Sequence, residues 1–175
     1  MSKRAFVVCG VPSSGTRLLV RILIAGGCVG DGDHAQRWDT EEPDADLIVI
    51  RRHQPMGRPP AWASNPNLII ALQNIGYEVA VLIMSRDWHS ILLSQLNAPH
   101  VGSVDEGVRL TRQCWRMIFK NLPDDVPFEI ISYESLIQRP HDVRNAIYAH
   151  LALIAIQEIE PISDGNEKYY PYPNS

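Results

Sequence analysis

The eight residues Gly10-Val11-Pro12-Ser13-Ser14-Gly15-Thr16-Arg17 carry the clearest chemistry in the chain, the capture of an anion. They follow a continuous apolar, partly β-branched run at 5–9 and precede a segment at 16–25 in which Leu18, Leu19, Ile22 and Leu23 recur with helical spacing. A helix that opens directly after a strand presents unpaired backbone N–H groups and the positive end of its dipole. Gly10 and Gly15 let the backbone between them curl around an anion, and Ser14 and Thr16 add hydroxyl donors. The spacing is that of a phosphate loop, G-x-x-x-x-G. In an ATP-using enzyme a lysine and then a hydroxyl residue follow, for the β and γ phosphates and for magnesium. Thr16 and Arg17 stand there instead. Arg17 or Arg21 can restore charge, but an arginine has no oxygen to offer magnesium, so ordinary Mg-ATP chemistry is disfavoured.

The rest of the chain supplies the elements that must hold this loop. Apolar runs at 47–50, 78–84 and 128–132 read as further strands, and periodic segments at 67–74, 87–96, 104–122 and 140–153 as helices. An edge strand is expected at 154–159. Residues 30–46 form a polar, acidic surface excursion, the proline-rich stretch through Pro55, Pro59 and Pro60 a turn, and the tail YYPYPNS a packed extension. Strands alternating with helices imply a single α/β domain over residues 1–175, a three-layer P-loop-type fold with a mostly parallel central sheet flanked by helices.

Composition narrows the partners. The formal charge of −4 argues against sequence-independent nucleic-acid binding, which uses strongly basic surfaces. Arginine outnumbers lysine 13 to 3, and its rigid fork suits bidentate contacts to phosphate or sulfate. Cys9, Cys28 and Cys114 are widely spaced with no C-x-x-C pair, which predicts three reduced thiols, no zinc site and a cytoplasmic location. The first residues read as a strand rather than a leader, and Arg21 interrupts the best candidate for a membrane helix, so no membrane partner is expected. The histidines lack zinc-ligand spacing, and no metal site is expected.

Beyond these local readings, the chain resembles the PAPS-dependent sulfotransferases. Pro12-Ser13-Ser14-Gly15-Thr16 is similar to the family's first-loop signature, which binds the 5′-phosphosulfate of PAPS without a metal. Arg86, at the end of a strand, and Ser94, eight residues later, are similar to its second signature, and the resemblance implies that both hold the 3′-phosphate. Ser132-Tyr133-Glu134-Ser135-Leu136, followed by Pro140, is similar to a third segment and places Tyr133 among the cofactor-binding residues, with Ser135 where an acidic residue is usual. These matches run in the family's order from Val8 to Pro140. The resemblance therefore implies a cofactor site of Gly10, Pro12, Ser13, Ser14, Gly15, Thr16, Arg17, Arg86, Ser94 and Tyr133, with PAPS as donor and PAP as product.

Two departures matter for chemistry. Ser13 occupies the position of a lysine or arginine that contacts the sulfate, and losing such a group costs about 3 kcal/mol in the transition state, roughly a hundredfold in rate. The arginine-lysine-glycine signature near the C-terminus is absent, and Asp164-Gly165-Asn166-Glu167-Lys168-Tyr169 occupies the end instead. Compensation for Ser13 is open to Arg17, Arg21, Arg51 or Arg52. His53, after a strand and two residues before Pro55, is the leading general base. The expected catalytic set is His53, Ser13, Arg17 and Arg52, transferring a sulfuryl group to a hydroxyl of a small-molecule or carbohydrate acceptor. That acceptor would enter between the 30–46 excursion, the His53 loop and the helix after Ser103. The competing readings are a P-loop nucleoside or small-molecule kinase and a catalytically weak nucleotide-binding or interaction protein. Oligomeric state is not encoded in any feature of the sequence.

Overall fold

The computed structural model describes residues 2–30, 45–53, 64–98, 100–159, 161–166 and 169, with His53 and residues 64–66 described through their backbone. Most of the 30–46 excursion, the Pro55–Pro60 turn, Lys168 and the tail beyond residue 169 lie outside the described residues.

Four strands are described: β1 (Lys3–Gly10), β2 (Leu47–His53), β3 (Tyr77–Ser85) and β4 (Phe128–Ser132). The helices are α1 (Thr16–Ala25), α2 (Ser64–Asn74), α3 (Trp88–Asn97), α4 (Val104–Lys120), α5 (Tyr133–Gln138) and α6 (Pro140–His150). The strands make one sheet in the order β2-β1-β3-β4, and every pairing is parallel. A parallel sheet is covered on both faces, and the near-continuous apolar runs of β1 and β3 follow from that. On one face Phe6, Val8, Val49, Leu82 and Met84 pack with Leu19 and Leu23 of α1 and with Ile147 and Tyr148 of α6. On the other, Val7, Ile50, Val81 and Ile83 pack with Ile69 and Leu72 of α2 and Ile118 of α4. The result is the expected three-layer α/β fold.

Local chemistry fixes the helix ends. Asp87 caps α3 by accepting the Ser90 N–H at 2.7 Å. Ser103 caps α4 by accepting the Glu106 N–H at 3.2 Å, while Glu106 reaches back to the Gly102 N–H at 2.8 Å. Tyr148 ties α6 to α1 by donating to the Ile22 carbonyl at 2.8 Å, inside the core.

Several expectations require correction. Residues 154–159 form no strand; Ile154 and Ile156 are 76% and 69% exposed, and the segment attaches through the Ile156 N–H to the Ala25 carbonyl at 2.8 Å. Its apolar residues thus lie beyond the end of α1 instead of extending the sheet. Helix α6 stops at His150, not at residue 153, because Ala152 takes a left-handed φ of 48° and Leu153 bonds back to the Tyr148 carbonyl. Strand β2 runs through Arg51 and Arg52 to His53, three residues past its apolar run, because it keeps pairing with β1. The short helix α5 separates β4 from α6, opened by the Ser132 hydroxyl accepting the Ser135 N–H.

Candidate functional site

The strand order creates a crevice at one point. The chain passes from β1 through α1 to β2 on one side, and β3 lies on the other side of β1. Connections leave the carboxyl ends of β1 and β3 in opposite directions, and open α/β sheets bind ligands in such a crevice. The loop 11–15 sits there, and Arg86 follows the last residue of β3.

Close packing shapes the loop. A Cβ at Gly10 would lie 2.8 Å from the Met84 carbonyl and 2.5 Å from the Ser14 hydroxyl, so glycine is required where the chain leaves the sheet. Gly15 has φ 94° and its missing Cβ would lie 2.6 Å from the Tyr133 ring. Ser13 adopts φ 71°, uncommon for a residue with a side chain and indicative of local strain. Ser14 turns inward, fully buried, with its N–H donating to the Val11 carbonyl at 3.1 Å. Helices α3, α4 and α5 are closed by side-chain caps, whereas Gly15 gives α1 none. The first backbone N–H groups of α1 thus have no side-chain cap, as at α6, and a helix start of this kind can accept an anion.

Arg86 braces this loop. Its Nη1 donates to the Ser13 carbonyl at 2.8 Å, and Nε and Nη2 donate to Asn166 Oδ1 at 2.8 and 2.6 Å. The guanidinium stacks on Tyr133, 4.5 Å from the ring centroid. The Tyr133 hydroxyl accepts the Gly165 N–H at 2.8 Å. These bonds engage three of the five arginine N–H groups, and Arg86 still faces two adjoining cavities. The first, of about 370 Å³, is lined by Pro12, Ser13, Thr16, Arg51 and His100. The second, of about 900 Å³, runs between Leu18 and Arg21 of α1, Tyr133, and the segment through Ile159 and Ser163. Gly15, Arg17 and Arg86 line both.

The residues singled out in the sequence divide accordingly. Gly10, Ser14 and Gly15 shape the loop, and Pro12, Ser13, Thr16, Arg17 and Arg86 converge on the first cavity. Tyr133 supports Arg86 and Gly15 and lines the second cavity. Ser94, one turn after buried Ser90, is half-buried on α3 and lines neither cavity. Gln95 joins α3 to the loop instead, donating to the Pro12 carbonyl at 3.1 Å. Arg51 reaches the first cavity, whereas Arg52 leaves β2 on the opposite face, one residue out of phase. The His53 backbone pairs with Gly10 at the end of the sheet, and its side chain lies outside the description.

Other nucleophiles are quiet. Cys9, Cys28 and Cys114 are free and buried, and burial pushes their thiols up to about 12, about 12 and about 11. They stay protonated near neutral pH and supply no thiolate. Among the described residues no group of histidine, cysteine and carboxylate side chains could hold a metal ion, and no helix is long and apolar enough to cross a membrane.

No protein-family model matches the chain, and no curated protein does. Solved structures do resemble it. The sulfotransferase domain from the olefin synthase of Synechococcus PCC 7002 aligns with a TM-score of 0.56 at 12% identity, covering 97% of this chain and 84% of that one. The sulfotransferase domain from the curacin biosynthetic pathway aligns at 0.53 and 15% identity, covering 92% and 76%. At these identities the likeness is one of fold: the chain shares the architecture of sulfotransferase domains across nearly its whole length.

Proposed function

We propose that the protein is a sulfotransferase that uses PAPS and a small hydroxylated acceptor. The observation that carries this reading is the pair of adjoining cavities that share Arg17 and Arg86. An anion seated on the amino end of α1 would occupy the first, and the second leads away with room for a nucleoside and a second phosphate. PAPS is a nucleotide with anionic groups at two separate positions, and the donor set fits it: helix N–H groups, two hydroxyls and several guanidinium groups, with no carboxylate among the described residues that line the first cavity. The sulfotransferase domains with the same fold add to this support.

In this reading the N–H groups of α1, with Ser13 and Thr16, hold the anion at the 5′ end. Arg17 and Arg86, at the junction of the cavities, hold the 3′-phosphate, and Tyr133 keeps Arg86 oriented. PAPS, when bound, supplies an activated sulfuryl group on a phosphate leaving group. His53, at the end of β2 beside Gly10, would take the acceptor's proton. Arg17, where a kinase carries the hydroxyl ligand to magnesium, speaks against the kinase reading.

Calorimetric titration with PAP, and separately with ATP plus magnesium, tests this. Binding of PAP that Arg86→Ala weakens at least tenfold is the expected result, since a charge-assisted contact is worth about 1.5–3 kcal/mol. Magnesium-dependent ATP binding without PAP binding would move the protein to the kinase class, and silence with both ligands would leave a non-catalytic role.

A further inference from the structure

We propose that Arg51 is the cation for the transferred sulfonate, the charge that the loop itself lacks at Ser13. The inference rests on the sulfotransferase reading and deepens it by assigning the group that meets the sulfur end of the donor.

Strand parity comes first. Leu47 and Val49 pack on the α1 face of the sheet, and Ile48 and Ile50 on the α2 and α4 face. Arg51 therefore leaves β2 on the face that carries α1 and the loop, and Arg52 on the other. Register sets the height: Arg51 lies beside Val8, two residues before the Gly10–His53 pair where β1 gives way to the loop.

Charge distribution comes second. Three arginines line the first cavity, and they are not equivalent. Arg86 is held by the Ser13 carbonyl and by Asn166, and it also faces the second cavity. Arg17 is exposed and likewise faces both cavities. Of these two cavities Arg51 lines only the first, and it is 6% exposed. A guanidinium withdrawn from water interacts with a nearby anion more strongly than an exposed one. Arg51 thus brings a buried guanidinium to the chamber in which Ser13 offers only a neutral hydroxyl.

The test compares PAPS with PAP, which lacks the sulfonate, and needs no acceptor. Calorimetric titration of the full chain, wild type and variants, is expected to show that Arg51→Ala weakens PAPS about 10- to 100-fold. The same variant should leave PAP within about threefold. Arg51→Lys, which keeps the charge, should recover part of the PAPS affinity, and Arg52→Ala should leave the ratio of the two affinities unchanged. Equal weakening of PAPS and PAP by Arg51→Ala, no effect on either, or the same selective loss in Arg52→Ala would overturn the assignment while the sulfotransferase reading stood. A wild-type protein that binds neither nucleotide would overturn both. If Arg51→Ala fails to fold, Arg51→Lys and Arg51→Gln carry the comparison: a PAPS-to-PAP affinity ratio that the neutral glutamine leaves at the lysine value would overturn it.

Discussion

Alanine at Gly15 should destabilise the protein by more than alanine at Gly76, and the difference measures how tightly Tyr133 closes the loop. The two glycines have nearly the same backbone conformation, φ 94° and φ 91°. A side chain in that region costs about 1–2 kcal/mol at either position. Their surroundings differ: around Gly76 an added Cβ meets nothing within 4 Å, whereas at Gly15 it would lie 2.6 and 3.2 Å from two Tyr133 ring carbons and 3.3 Å from the Met84 methyl. The ring cannot simply swing away, because it carries the Arg86 guanidinium and its hydroxyl accepts the Gly165 N–H. Overpacking of this kind adds about 1–3 kcal/mol. Gly76→Ala should therefore lose about 1–2 kcal/mol and Gly15→Ala about 2–5 kcal/mol in urea denaturation at neutral pH. Repeating Gly15→Ala in a Tyr133→Leu background closes a double-mutant cycle, in which the excess should shrink toward the Gly76 value. Equal losses at the two glycines, or an excess untouched by Tyr133→Leu, would refute the claim that the ring sets the loop's shape.

Asn166→Asp puts a carboxylate against the edge of Arg86 that now bonds an amide oxygen; the half-buried pair should raise stability by about 0.5–1 kcal/mol. The same charge should repel a phosphate at Arg86, so PAP affinity should fall at least about fivefold, and an unchanged affinity would remove Arg86 from the anion site. For the thiols the sign follows from burial: Cys9 and Cys28 rise from 9.0 to about 12 on folding, so the folded chain holds protons that the unfolded chain releases above pH 9. Their contribution is fully present below pH 9 and is lost as pH climbs toward 12; urea midpoints should fall across that window, less steeply in Cys9→Ala, and a thiol reagent at pH 8 should label the protein only after unfolding.

The loop, its strand and its helix were legible in the sequence because every signal there is local: an apolar run, two glycines five residues apart and a helical repeat. Arg86 was singled out through the resemblance to the sulfotransferases, whose second signature has an arginine at the end of a strand. The assignment of Arg51 and Arg52 was not, because a charged pair after Ile50 looks like the start of a loop. Pairing of Cys9 with Arg52 and of Gly10 with His53 keeps that stretch extended, and only then does alternation separate the two side chains. Asn166 could not have been found from spacing, since 80 residues separate it from Arg86. The isoleucines at 154 and 156 misled in the opposite direction. β-branched residues favour strands only where a pleated neighbour is available, and here the backbone of Ile156 meets the last turn of α1.

If the loop holds an anion as proposed, the disposal of its carbonyl groups matters as much as the supply of donors. A peptide plane carries C=O and N–H on opposite edges, so a carbonyl directed into the cavity would set a negative dipole end against the ligand. Two loop carbonyls are held by side chains from the β3–α3 side, Pro12 by Gln95 at 3.1 Å and Ser13 by Arg86 at 2.8 Å, and are thereby partnered within the protein. Arg86 directly follows β3 and Gln95 stands on α3, so the carboxyl end of β3 and the helix that follows it hold the loop after β1. That dependence accounts for the left-handed Ser13, because its φ of 71° persists only where surrounding bonds over-determine it. Arg86 thus holds the Ser13 carbonyl and stands at the junction of the two cavities, where, in the proposed reading, its charge would meet a bound anion.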